Sequence, residues 1–294
     1  MSVRVRRTTF DNIYQFFVEA FLALVLILVT IPLWRIILQS VTPLTFTGSN
    51  LEGMFIPPWE WNFAAYGQLL SHPNFLHAAG NSFRILFGGV ITSLVLTVPL
   101  AYVLSIKTLP GRKLLSGMVL IPFLFNPGLI PNYLVVTKLG LADKLMAVFL
   151  PGAVSVYNTF VMKSFFQGIP EELKEAARID GASELYTLFR IILPLSKAIL
   201  LTVGLFYGVH FWNDFFTPLL YLNNSSLQPL PVLLRNILMA ASMNDYVEAT
   251  AFSDASIASI KAASVFLTAL PMVVAYPFIQ KYFTKGTLLG SVKG

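Results

Sequence analysis

The sequence predicts an all-α polytopic membrane protein with six transmembrane helices, and three observations predict it. Of its 294 residues, 56% are hydrophobic and only 12% are charged; a water-soluble chain of that length needs far more charged surface. The mean hydropathy is +0.72. The apolar residues gather into six runs, 13–38, 78–105, 114–134, 145–166, 198–222 and 262–283, each close to the ~20 residues that cross a bilayer as a helix. Lysine and arginine are divided unevenly between the connections, which gives the bundle an orientation. The whole chain, 1–294, reads as one transmembrane domain.

The first run follows Arg4, Arg6 and Arg7, like the basic start of a signal peptide. Its apolar stretch is too long and no small-x-small cleavage site follows, so it reads as an uncleaved anchor. The connection 39–77 carries Pro57, Pro58, Trp59 and Trp61 and predicts short helical patches at a membrane interface. The third run contains IPFLFNPGLIP, with Pro122, Pro127, Pro131 and Gly128. Each proline removes a backbone donor and bends its helix. In lipid such breaks survive only where neighbours or a water-filled cavity satisfy the freed groups, so this run is expected to be irregular and to line a cavity. The connection 223–260 holds Pro229 and Pro231, then a polar stretch from Ser242 to Ser259.

With the N-terminus in the cytoplasm, Arg4, Arg6, Arg7, Lys107, Arg112, Lys113, Lys163, Lys174, Arg178, Arg190, Lys197, Lys281, Lys285 and Lys293 lie inside. Arg35, Arg84, Lys138, Lys144, Arg235 and Lys261 fall outside or in the outer half, the asymmetry that positive-inside requires. Six crossings return the C-terminus to the cytoplasm. With no cysteine, disulfides and thiolate metal sites are excluded. The histidines at 72, 77 and 210 form no H-E-x-x-H pair, and no G-x-x-x-x-G-K-[ST] loop exists. The chain is therefore expected to hold no catalytic, cofactor or metal site and not to hydrolyse ATP itself.

One stretch departs from the membrane pattern: IPEELKEAARIDGASELYTLFRIILPLSK, 169–197. Pro170 suits a first helical position, and Glu171 and Glu172 follow where carboxylates favour the helix dipole. Leu173, Ala176, Ala177 and Asp180 recur at i, i+3, i+4 and i+7, so one face is expected to carry small side chains. Gly181 suits a left-handed cap. Ser183 and Glu184 can open a second helix leading to Pro194. The stretch predicts a water-facing helical hairpin.

Glu175, Ala176 and Ala177, then Gly181 after three residues, then Ile191, Leu193 and Pro194 after nine more, resemble the EAA loop of bacterial ABC importer permeases without a departure. The likeness covers nearly the whole chain. GLFYGVHFWNDFFTPLLYL is similar to the corresponding span of carbohydrate importer permeases, and PFIQKYFTKGTLLGSVKG to the tail of MalG-type subunits. FNPGLIPNYLVVTKLGLADKLMAVFLPGAVSVYNTFVMKSFF resembles the LplC-like branch, which includes the second permease of the alginate importer.

The resemblance implies a type I ABC importer (MetI-like) permease fold with the EAA loop as coupling helix. It implies that Leu173, Glu175, Ala176, Ala177, Asp180 and Gly181 dock on an ATPase, and that the tail at Val292, Lys293 and Gly294 reaches between two ATPase subunits. ATP and Mg²⁺ would sit on that partner. The other implied partners are a second, homologous permease, a periplasmic solute-binding protein, an oligosaccharide and membrane lipid, with no nucleic acid. The implied location is the bacterial inner membrane. The implied cargo is an acidic, alginate-like or uronate oligosaccharide; the alternatives are a neutral maltodextrin-like sugar, a non-sugar solute, or an ion-coupled secondary transporter. The last predicts inverted repeats, which the sequence does not show.

Ionisable residues inside spans are costly and often functional, which singles out Arg84, Asp214, Glu19 and His210. Glu19 lies near the start of its span and can snorkel. Arg84 and Asp214 both fall toward the outer leaflet, so they read either as a buried ion pair or as groups facing the cavity, where Arg84 would favour a carboxylated sugar. Tyr207, Phe211 and Phe215 recur at i+4, a spacing more common for helix packing than for sugar stacking. Tyr207, His210, Trp212, Asn213 and Asn126 complete the candidate pathway.

Overall fold

The computed structural model describes residues 9–43, 55–244 and 256–290, all helix and connection. Three helices are long and apolar enough to cross a membrane: α1 (Thr9–Ser40), α3 (Pro73–Ser105) and α14 (Ile257–Gly290). They hold the first, second and sixth predicted runs. The third run is a bent pair, α4 (Arg112–Leu124) and α5 (Leu129–Lys138), which turn by 112° across Phe125–Gly128. This matches the irregularity expected from its prolines.

Two predicted spans are corrected. The run 145–166 is not one helix: α6 (Met146–Phe149) stops, and α7 (Val156–Gln167) begins only after the break. Pro151 and Gly152 interrupt the ladder, and Ser155 opens a new helix by accepting from the Asn158 N–H at 3.3 Å. The run 198–222 also divides, into α11 (Lys197–Asn213) and α12 (Phe216–Tyr221). Among the described residues the count reaches five if α4 with α5, and the segment Glu184–Leu195 with α11, are each taken as one bent span.

The connections add short helices. The stretch 39–77 contains a 3₁₀ turn at Pro58–Glu60 and α2 (Ala64–Ser71). The stretch after Asn223 contains a helix the sequence did not announce, α13 (Leu230–Asn244), with Pro231 in its first turn. Proline near a helix start was the available signal. The hairpin comprises α8 (Glu171–Ile179), α9 (Glu184–Thr187), a π-helical turn at Leu188–Ile192, and α10 (Leu193–Leu195).

The described residues fall into two packing units. In the first, Ser40 and Tyr66 share a hydroxyl hydrogen bond at 2.6 Å, and the Asn62 N–H donates to the Val41 carbonyl at 2.8 Å. The Tyr66 and Phe266 rings meet edge to face at 6.3 Å. In the second, α3, α7 and α11 pack on one another around Ile85, Val98, Met162, Phe166, Val203 and Tyr207. Lipid supplies no hydrophobic force between such helices, so close backbone approach must supply van der Waals contact. Glycines make it possible. A Cβ at Gly204 or Gly208 would already touch Leu94, Val90 or Leu86 of α3, and one at Gly89 would lie 2.5 Å from the Phe211 ring.

Gly89→Ala is therefore expected to destabilise the bundle by about 1–3 kcal/mol through overpacking, read as a lower melting temperature in detergent. Phe211→Leu in the same chain should recover most of that loss.

Candidate functional site

The hairpin 169–197 is built from its termini inward. Glu171 and Glu172 occupy the first turn of α8 and Arg178 its last, each complementing the helix dipole. The helix begins one residue later than Pro170, which is its N-cap. At the other end Gly181 adopts φ +74°. The Gly181 N–H donates to the Arg178 carbonyl at 3.0 Å and the Ala182 N–H to the Ala177 carbonyl at 2.9 Å, a Schellman turn that closes the helix. The Ser183 hydroxyl then accepts from the Tyr186 N–H at 3.2 Å and starts α9. Leu188 and Ile192 of the π turn are buried in the bundle core. The chain turns by 85° into α11.

The faces of α8 differ from the expected stripe in one respect. Leu173 is 41% exposed, and Ala176, Asp180 and Gly181 are exposed beside it, with Glu175 also open to solvent. Ala177 is turned inward at 5% exposure, next to a buried Lys174 whose Nζ lies 3.4 Å from Glu171 Oε2. One helical residue is 100° of rotation, which separates Ala177 from Ala176. Asp180, Gly181, Ser183, Tyr186 and Arg190 border an open groove of about 780 Å³.

A polar chain that the sequence reading missed ties the hairpin to the bundle. Arg178 donates to Glu184 Oε1 from Nη2 at 3.0 Å and from Nε at 3.3 Å. The Tyr102 hydroxyl, at the end of α3, donates to Glu184 Oε2 at 2.7 Å. Glu184 had been read only as a helix opener, and nothing local in the sequence pairs it with Tyr102. The Tyr102 hydrogen bond, together with the Arg178 guanidinium, holds the Glu184 carboxyl below the usual carboxylate range, against a partial desolvation that pushes it up.

Within the bundle, the ion pair between Arg84 and Asp214 does not form. Arg84 is exposed and donates from Nη1 to Asn81 Oδ1 at 3.3 Å. Asp214 Oδ1 accepts from the Thr217 N–H at 3.0 Å, at the start of α12. Each side chain has found a partner three residues away. Asn81 in turn donates to the Ser226 carbonyl at 2.8 Å, and Ser82 Oγ accepts from the Leu230 N–H at 2.8 Å, so α3 holds the connection between α12 and α13.

Tyr207 is buried (2% exposed) rather than open. Its oxygen accepts from the Ser155 N–H at 2.9 Å and shares a 2.7 Å hydrogen bond with the Thr97 hydroxyl. It therefore closes the break before α7 and ties α11 to α3. Trp212 is equally buried: its Nε1 donates to the Thr268 carbonyl of α14 at 3.1 Å, and its ring lies 5.2 Å from Phe83. Asn213 is exposed and bonds back to the Val209 carbonyl at 2.9 Å. Asn126 caps the α4–α5 bend by accepting from the Gly128 N–H at 2.9 Å. His210 is exposed, 5.3 Å from the Phe211 ring.

Of the pathway candidates, Tyr207 and His210 come together in a cavity of about 410 Å³, with Ser155, Tyr157, Asn158 and Phe206. Ser155 and Asn158 were not anticipated; the Pro151–Gly152 pair followed by serine was the signal for a helix start there. The cavity combines aromatic faces with hydroxyl, amide and imidazole groups, a lining that can stack on and hydrogen-bond to a polar ring. The tail residues Val292, Lys293 and Gly294 lie outside the described residues.

Comparisons with known proteins agree with this architecture. A family model described as binding-protein-dependent transport system inner membrane component matches residues 1–288. The Bacillus subtilis protein LplC is 42% identical over 247 residues, 83% of each chain. The polygalacturonan/rhamnogalacturonan transport system permease protein YtcP of Bacillus subtilis is 36% identical over 286 residues, covering 97% of this chain and 99% of that one. A chain from the crystal structure of a bacterial ABC transporter involved in import of the acidic polysaccharide alginate superposes with a TM-score of 0.84 at 26% identity, covering 95% of this chain and 99% of its own.

A carboxyl whose folded-state pKa is lowered adds stability above its ordinary range, about pH 4.3 for glutamate, and loses it as pH falls through the lowered value. Amide protection across 171–187 is accordingly expected to fall only once the pH is taken below the ordinary glutamate range. The same hydrogen-exchange measurement on Glu184→Gln should start lower and lack that step.

Proposed function

We propose, from the premise that this chain belongs to the binding-protein-dependent transport system inner membrane component family, that it is one permease subunit of an ATP-driven importer of acidic oligosaccharides. The chain is a membrane transport component of sugar-importer type. Its proposed partners are a second permease, two ATPase subunits that carry ATP and Mg²⁺, and an extracytoplasmic solute-binding protein. Both termini and the hairpin are proposed to face the cytoplasm, on the charge asymmetry of the connections.

The observation that carries the proposal is the hairpin. A helix of nine residues, stopped by a Schellman turn and rooted in the core through Leu188 and Ile192, presents Leu173, Ala176 and Asp180 outward. Small exposed residues allow close approach of a concave partner, and Leu173 can fill an apolar notch. A lever docked in this way moves with an ATPase dimer as it closes, and rigid-body motion of the permease follows.

The acidic cargo is supported by two likenesses, to a permease named for polygalacturonan and rhamnogalacturonan and to a transporter of alginate. It is supported also by Arg84. Among the described residues this exposed guanidinium has no carboxylate partner and uses one donor on Asn81, leaving others to fork onto a uronate carboxylate. The cavity beside Tyr157 and His210 offers ring-stacking surface for the sugar itself.

The chain has no cysteine, so single-cysteine cross-linking is clean. In the assembled complex, a cysteine at Ala176 is expected to cross-link efficiently to the ATPase subunit and one at Ala177 poorly. No cross-link from Ala176, in a complex shown to be intact, would sink the coupling assignment. Arg84→Gln should reduce uptake of labelled uronate oligomers by about tenfold, the loss of one charge-assisted hydrogen bond, while uptake of neutral oligosaccharides stays near the parent value. Equal loss for both would make Arg84 a structural group, holding Asn81, and not a reader of the cargo's carboxylate.

A further inference from the structure

We propose that Glu184 is a positioning residue that carries the movement of α8 into the transmembrane bundle, acting as a strut between Arg178 and Tyr102. The proposal rests on the coupling role of the hairpin given above and deepens it.

A lever transmits force only through stiff attachments, and α8 has few. Among its own side chains only Lys174 and Ala177 are buried. Lys174 bonds to Glu171 of the same helix, so it carries no load across the gap. A polar route leaves α8 at its C-terminal end, in addition to the apolar anchors Ile169, Leu188 and Ile192. Arg178 grips one carboxylate oxygen of Glu184 with two donors, and Tyr102 holds the other oxygen at 2.7 Å. A carboxylate with both oxygens engaged fixes the separation of the groups on either side of it.

The two limbs are not equal. The Arg178–Glu184 pair is open to solvent on both sides, and an exposed ion pair contributes little stability. Tyr102 is 3% exposed, with its ring edge-on to Phe166 of α7 at 6.4 Å. It also sits in the last turn of α3, the helix that packs on both α7 and α11. The buried limb anchors the strut to the helix on which α7 and α11 both pack, and the exposed limb attaches it to α8.

The chemistry of the carboxylate is required, not its volume. In Glu184→Gln the amide nitrogen replaces one acceptor. With the amide NH2 toward Arg178 that limb is lost; with it toward Tyr102 the phenol can accept instead, and both limbs become neutral-acceptor hydrogen bonds weaker than the charge-assisted ones they replace. Tyr102→Phe removes a single oxygen and leaves the packing against Phe166 in place.

The test uses the complete complex in proteoliposomes with substrate-loaded binding protein. Transported substrate is measured per ATP hydrolysed, and docking is followed in parallel by the Ala176 cysteine cross-link. Tyr102→Phe, Glu184→Gln and Arg178→Gln are each expected to lower that ratio at least about threefold, a shift within the range reported for residues that couple distant sites. All three should keep the cross-link. The Tyr102→Phe/Glu184→Gln double variant should be no worse than either single variant, because both cut the same strut. Ratios close to the parent value with the cross-link intact, or losses that add in the double variant, would overturn the strut while leaving the coupling hairpin standing. Loss of the cross-link in the otherwise unaltered chain would remove the coupling hairpin itself. Arg178 lies on the exposed limb and its replacement cannot unfold the core, so its result decides the matter should Tyr102→Phe assemble poorly.

Discussion

A backbone N–H without a partner in hydrocarbon costs several kcal/mol, and this constraint governs how the bundle is broken. Three of the predicted runs are interrupted, and at each interruption a side chain supplies what the helix ladder gave up. At the break before α7 it is the Tyr207 phenol, which accepts from the Ser155 N–H. At the bend between α4 and α5 it is Asn126, and between α11 and α12 it is Asp214. The breaks are therefore built joints. Tyr207 does more than close its own joint, because the same oxygen is bonded to Thr97 and so holds α3, α7 and α11 in one arrangement.

The hairpin, proposed to face water, obeys a different rule. Water can satisfy its polar groups, so its shape depends on local chain chemistry: dipole-matched ends, a left-handed glycine, a serine cap, and a π turn that runs into Leu193–Leu195. The first three are short-range devices. They let a small element stay rigid with few buried residues of its own, and its attachment to the bundle falls to the carboxylate of Glu184 and the apolar pair Leu188 and Ile192.

Short-range devices are also what the sequence made legible. The Gly181 cap, the Ser183 start and the acidic first turn of α8 each depend on residues within one or two turns of each other, and the structure contains all three. The long apolar runs that became α1, α3 and α14 were equally plain, because hydropathy over some twenty residues needs no partner to be read. The run 145–166 misled because Pro151 and Gly152 are tolerated within many membrane helices, and hydropathy does not register a break. Arg84 and Asp214 read either as a pair or as groups facing a cavity, and the pair does not form because each is met by a nearer partner, Asn81 and the Thr217 N–H. Ala177 looked like its neighbour Ala176, although adjacent positions on a helix point to different surroundings. The contact from Tyr102 to Glu184 joins residues 82 apart in the chain, and no local pattern announces it.

The first helix shows the reverse of this economy. In its apolar window no side chain is buried, and close packing begins only at Leu38, Ser40 and Val41. Selection can hold such a stretch to greasiness and length alone, so over evolutionary time its letters are free to scramble. The few positions at its C-terminal end, which mesh with Tyr66 and Asn62, should drift far more slowly. Within a single helix, then, one part is written in a coarse alphabet of two symbols and the other in the full twenty.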